Sequence, residues 1–283
     1  MMSSIWTLST GSAIRAISLA REAELLLVRD DNQTIYLITA KGSLQAQMTF
    51  SGLAAACASD DGSALAAVGA AGQVWWLAPD LTTRWERAVP TVALAVATDP
   101  FGQYLAVADK RGGLTLFDRT GRTLGRTASP RPIHHLAFVP TQPYLAATAD
   151  LGWAGLFDLT TGQWVWTDRP VSNIGSLAVS GNGDAMLLAC FSEGIRRYSP
   201  AGPDRHALKL PKPGGLVALS FAGEIGVAAG GGRELYGFNA KGSLTFTREL
   251  PYPPTALAIA ALGGRAIAGF ADGRVTTVDL APA

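Results

Sequence analysis

The feature that most limits what this chain can fold into is an internal repeat of about 40 residues. Short apolar runs begin at Leu25, Leu65, Leu105, Leu145, Met186, Ile225 and Ala266, spaced by 40, 40, 40, 41, 39 and 41 residues. A fixed period of this length marks an array in which each unit buries its apolar face against the next. Seven units of this size account for essentially the whole chain of 283 residues.

Each run has companions at constant offsets. About ten residues earlier lies another strand-like stretch, at 16–19, 54–57, 93–96, 135–138, 176–179, 217–220 and 257–260. About ten residues later lies a third, at 35–37, 74–77, 114–117, 154–157, 195–198, 235–238 and 275–278, and most units add a more polar fourth, as at 83–86 and 163–166. Turn residues separate them, including DDGS at 60–63, RGG at 111–113, GNGD at 181–184 and ADG at 271–273. Short strands at such intervals with Gly, Asp and Asn turns read as all-β, and four strands per unit make the blade of a propeller. The expected fold is therefore a seven-bladed β-propeller with four-stranded antiparallel blades, one domain over residues 1–283.

The alanine content argues the other way locally, because alanine is the best helix former. LAAACAS (53–59) and ALAIAALGG (256–264) would read as helix in isolation. The repeat overrides this. Inner strands of a ring converge on one axis and need small side chains, whereas outer strands diverge and need bulky ones. Trp75, Trp76, Trp85, Phe117, Phe157, Trp164, Trp166 and Phe238 all fall in the third and fourth strand sets. The last unit lacks a fourth strand, and the N-terminus has a spare one at 4–8. Residues 3–9 are thus expected to complete the last blade and close the ring, removing an exposed edge.

Two stretches, HLAFVPTQPYLAATADLGWAGLFDLTTGQ (135–163) and LAVATDPFGQYLAVADKRGGLTLFDRTGR (94–122), carry a family likeness. In them Phe157-Asp158 and Phe117-Asp118 stand where WD40 repeats have Trp-Asp, as Val278-Asp279 does in the last unit. The chain resembles the WD40 family over its whole length, although Gly-His is absent from every blade. The resemblance implies a structural aspartate at the tight turn between second and third strands, where Asp31, Asp109, Asp150 and Asp272 fall. DLTTGQWVW (158–166) also resembles the blade motif of quinoprotein-like propellers, whose tryptophan docks neighbouring blades.

Composition narrows the function classes. The formal net charge is +1 with no run of like charges, so neither nucleic acid nor an anionic membrane is the expected partner. The first residues have neither the basic flank nor the continuous apolar core of a secretory signal. The most apolar stretch, 255–271, is broken by Gly263, Gly264 and Arg265 and is too short to span a bilayer. A cytoplasmic protein is expected. Cys57 and Cys190 fall three blades apart, beyond disulfide reach, and are read as unpaired thiols.

Catalytic groups are sparse. His134 and His135 are adjacent on a strand and point to opposite faces, and His206 is remote, so no metal site is expected. AAGGGRELYG (228–237) lacks the ending of a phosphate loop and reads as a hairpin. Asp60, Asp61, Asp99, Asp118, Asp158 and Asp184 fall in separate turns, without a glycosidase-like pairing. No cofactor is expected.

The most suggestive surface is the face built from inter-blade connections and the turns between second and third strands. It gathers Arg29, Lys110, Arg111, Arg131, Arg169, Lys212 and Arg233 with Trp153 and Tyr252, stiffened by prolines such as Pro130, Pro132, Pro170 and Pro211. Arginine and aromatic residues on rigid loops suit a protein-binding surface. Asp30, Asp109, Asp150, Asp168 and Glu193 nearly offset the charge. The expected function is a non-catalytic scaffold or assembly subunit binding a protein or peptide there. The alternative is a hydrolase or other enzyme using carboxylates or an ion at the central channel. The first strands, almost wholly Ala, Leu, Val and Ile, favour the scaffold.

Overall fold

A computed structural model describes residues 4–280, and every regular element in it is a β-strand. The strands form seven sheets of four, each antiparallel and each made of consecutive strands except the last. Blade 1 runs outward from the axis as Ile14–Ala20, Leu25–Asp30, Thr34–Thr39 and Leu44–Thr49. The inner strands of blades 2 to 7 are Leu53–Ala58, Ala93–Thr98, Ile133–Val139, Ile174–Val179, Gly214–Leu219 and Pro254–Ile259. This is the seven-bladed propeller expected from the spacing. No helix long and apolar enough to cross a membrane occurs among the described residues.

Blade 7 takes its outer strand from the other end of the chain. Ser4–Ser9 pairs antiparallel with Arg274–Asp279, with Thr7 opposite Thr276 and Ser9 opposite Arg274. The Thr7 and Thr276 hydroxyls meet at 3.1 Å, and Thr10 N–H donates to Gly273 at 2.9 Å. Trp6 reaches onward into blade 1, donating from Nε1 to the Ala40 carbonyl at 2.9 Å. Closure by the N-terminal strand is therefore both a sheet pairing and an inter-blade contact. Ser3, also expected in this strand, lies outside the described residues.

The core lies between blades rather than within one. Leu27 and Leu37 of blade 1 pack on Leu65 and Leu77 of blade 2, and Val68 and Trp76 of blade 2 pack on Val107 and Phe117 of blade 3. Each such face alone would expose its apolar side, so the ring stands or falls together. All seven inner strands carry a register irregularity after their first paired residue, as at Ile14/Ala16 and Ile133/His135. A bulge there bends the strand entering the crowded centre.

Of the aspartates expected at the second-to-third-strand turn, Asp109 is the structural one; in blade 1 that place belongs to Asp30 rather than Asp31, and in blade 4 it is held by Ala149 rather than Asp150. Asp30 is fully buried and accepts from Thr34 N–H at 2.9 Å and Tyr36 O–H at 3.0 Å. Asp109, its counterpart in blade 3, is buried and accepts from the Arg111 and Gly113 amides at 2.8 and 2.9 Å. Asp31 instead pairs with Arg15 and Asp272 with Arg274, both at the surface.

Candidate functional site

The axial channel is walled by the inner strands, with Leu19, Val96, Ala97, Leu136, Ala137, Leu177, Ala178, Val217, Leu257 and Ala258 supplying most of its surface. Its volume is about 260 Å³. Towards one mouth Arg21 lies against Asp60 at 2.7 Å and also at 3.1 Å through Nε. Arg21 continues across the axis, donating to the Val179 carbonyl of blade 5 at 3.3 Å and lying 5.7 Å from the Phe221 ring of blade 6. One side chain thus bars that mouth. The channel offers Asp60 as a carboxylate, and Asp60 is already committed to a cation.

Cys57 lies in the channel wall, half-buried beside Thr98, and Cys190 is fully buried. Burial pushes both thiols up to about 12, far from a reactive thiolate. His134 occupies the bulge of its strand and reaches Asp150 at 3.3 Å. Half-buried His135 is held below its ordinary pKa, chiefly by desolvation and secondarily by His134, against the opposing pull of the Ile174 backbone and Asp150. No group of three His, Cys, Asp or Glu among the described residues is placed to hold a metal ion.

The face opposite the barred mouth carries the second-to-third-strand turns and the inter-blade connections. Between blades 3 and 5 these segments are tied into one continuous arc. Ser129 N–H donates to Gly112, and Ser129 Oγ bonds the Arg131 carbonyl. Arg131 Nη1 reaches the Leu151 carbonyl at 3.5 Å, and Leu151 N–H donates to Asn173 Oδ1 at 3.0 Å. Phe191 N–H then donates to the Asn173 carbonyl at 3.1 Å. Gly152, at φ +66°, lets the blade 4 turn meet the following connection, since a Cβ there would strike the Pro170 carbonyl. Leu151 itself has φ +60°, a conformation rare outside glycine.

Three large apolar side chains project from this arc: Leu151 at 73% exposure, Val171 at 89% and Phe191 at 49%. Around them stand exposed Lys110, Arg111 and Arg169 and half-buried Arg131. None of these four cations forms an ion pair among the described residues. The neighbouring acids are occupied. Asp168 accepts from Tyr198 O–H at 2.7 Å, Glu193 holds Arg196 at 3.3 Å and the Val171 amide at 3.2 Å, and Asp150 faces His134.

The remaining residues singled out from the sequence divide differently. Trp153 is only 3% exposed and packs edge-on to Trp164 at 4.9 Å inside the interface of blades 3 and 4, so it is core rather than surface. Arg29 is half-buried, its Nε has no hydrogen-bond partner, and desolvation lowers its pKa. Lys212 and Arg233 are exposed but paired with Glu234 and Glu249. Tyr252 is exposed, with the Arg274 guanidinium 4.7 Å above its ring. These positions are strung around the ring instead of joining the arc.

Sequence reasoning missed Leu151, Val171 and Phe191, although apolar residues inside Gly- and Pro-bearing turns were a visible signal. Compared with the models of known protein families and with curated proteins, the sequence matches neither.

Proposed function

We propose that this propeller is a non-catalytic interaction scaffold of WD40-like type, and that it takes a protein or peptide partner on the arc of blades 3 to 5. The observation that carries this reading is the composition of the arc: three projecting apolar side chains within a set of four cations that have no carboxylate of their own. Apolar anchors with arginine around them are the residue types that dominate protein interfaces. Unpaired cations ask for acidic groups on the partner, which raise the rate and selectivity of encounter. The matching segment is therefore acidic with one or more bulky apolar residues. In the channel Asp60 is held by Arg21, which gives a carboxylate mechanism little to work with.

A displayed library of random dodecapeptides, selected on the immobilised protein, tests this directly. Enriched peptides should combine Asp or Glu with aliphatic or aromatic residues. Their binding should weaken at least tenfold on the folded variant Arg131→Glu/Arg169→Glu/Val171→Ser. Peptides that bind the variant as well as the parent, or a preference for single-stranded nucleic acid over any peptide, would refute the reading.

A further inference from the structure

Three tryptophans perform the same task in three blades. Trp6, Trp85 and Trp166 each stand on an outer strand and donate from Nε1 to the carbonyl 34 residues ahead, in the third-to-outer turn of the next blade. The acceptors are Ala40 at 2.9 Å, Arg119 at 3.0 Å and Pro200 at 3.2 Å. In two cases the ring also lies against an aromatic 32 residues ahead. Trp85 is 5.9 Å from Phe117, and Trp166 is stacked on Tyr198 at 5.3 Å.

Blade 3 has the cradle without the indole. Gly125 pairs with Leu116 as Trp85 pairs with Trp76 and Trp166 with Leu156. Thirty-two residues ahead of it stands Phe157 and thirty-four ahead stands Leu159. A Cβ at Gly125 would meet nothing within 4 Å, and no donor among the described residues reaches the Leu159 carbonyl. A cleft of about 550 Å³ opens there, lined by Gly125, Phe157 and Leu159, with the exposed side chains of Phe101, Tyr104 and Leu124 on its walls. That volume falls in the range of ligand pockets.

We propose that this cleft between blades 3 and 4 is a binding site for an indole group supplied from outside the chain. The ring lies against Phe157 and its N–H donates to the Leu159 carbonyl, as Trp85 and Trp166 do in their own blades. The occupant's chemistry is set by these internal copies: planar, bicyclic, apolar, with one N–H donor. The cleft is lined by turns of the face opposite the arc, so its occupancy does not depend on the function proposed for that arc.

The test is ligand-observed NMR on the full chain with two probes, N-acetyl-L-tryptophanamide and a pentapeptide with tryptophan between glycines. Both should bind, and the 1-methylindole analogue of the first should bind about three- to tenfold more weakly for want of one hydrogen bond. Comparable affinities assign the site to the indole alone, whereas at least tenfold tighter peptide binding assigns it to a tryptophan presented on a chain. Gly125→Trp should abolish binding of both probes by filling the cleft from within. The rim variant Leu124→Asp, at an exposed position, should weaken binding at least threefold and serves where Gly125→Trp does not fold. Absence of binding at about 10 mM of either probe, where a millimolar affinity would register, overturns the proposal. So does equal binding of the 1-methyl analogue, or undiminished binding by the folded Gly125→Trp or the rim variant.

Discussion

Arg21 of blade 1 donates a hydrogen bond to the carbonyl of Val179 in blade 5, joining residues 158 positions apart across the axis of the ring. The same guanidinium is fixed from the side by Asp60 of blade 2. Blade 5 is thereby tied to the adjacent blades 1 and 2 by one side chain, at a mouth where inner-strand packing alone would leave a hole.

Arg21→Ala should lower the unfolding free energy by about 2–4 kcal/mol, because it leaves Asp60 largely buried without its cation. Removing both partners should cost less than the sum of the two single changes. Guanidinium denaturation of the four proteins of this cycle measures the coupling. Additive losses would mean that the pair is not coupled.

The outer strand of blade 7 predicts the effect of trimming. A chain lacking residues 1–10 loses Ser4–Ser9 and exposes the edge of Arg274–Asp279. Its melting temperature should fall by roughly 10 °C or more, with aggregation on heating. Trp6→Phe is the finer probe: it keeps an aromatic ring but removes the donor to Ala40, a loss of about 1 kcal/mol.

His135 gives the ring an acid-sensitive point. Burial disfavours its charged form, so its folded pKa lies below the ordinary 6.5 and the unfolded chain binds more protons. Its contribution is therefore neutral well above pH 6.5 and becomes destabilising as the pH falls through and below that value. His135→Asn should narrow the stability difference between pH 7.5 and 5.5, as read from denaturation midpoints. An unchanged difference would show that the imidazole titrates alike in both states.

The ring was legible because its cause is periodic. Small inner residues, bulky outer ones and the spare strand at the N-terminus each recur or balance at a fixed offset, and the structure repeats them as seven sheets. Individual side chains were less legible because one residue of register reverses a strand's faces. Trp153 follows a surface turn yet is the first residue of Trp153–Asp158, with its ring directed into the blade interface. Asp30, not Asp31, is the buried aspartate, for the same reason of register. The Arg21 bar could not be read at all: its partners lie in other blades, and no spacing within one unit encodes them. Gly125 could have been found, since the 34-residue offset from tryptophan to turn carbonyl is written in the sequence, but only the structure shows that the offset is a hydrogen bond.

Amide hydrogen exchange with a peptide selected on the intact protein tests the binding arc most directly. Protection should appear at 110–113, 129–133, 150–153, 169–173 and 190–193, and should fade as salt screens the four cations. Protection confined to the channel mouth around Arg21 and Asp60, or to turns of that same face, with those five segments unchanged, would contradict it.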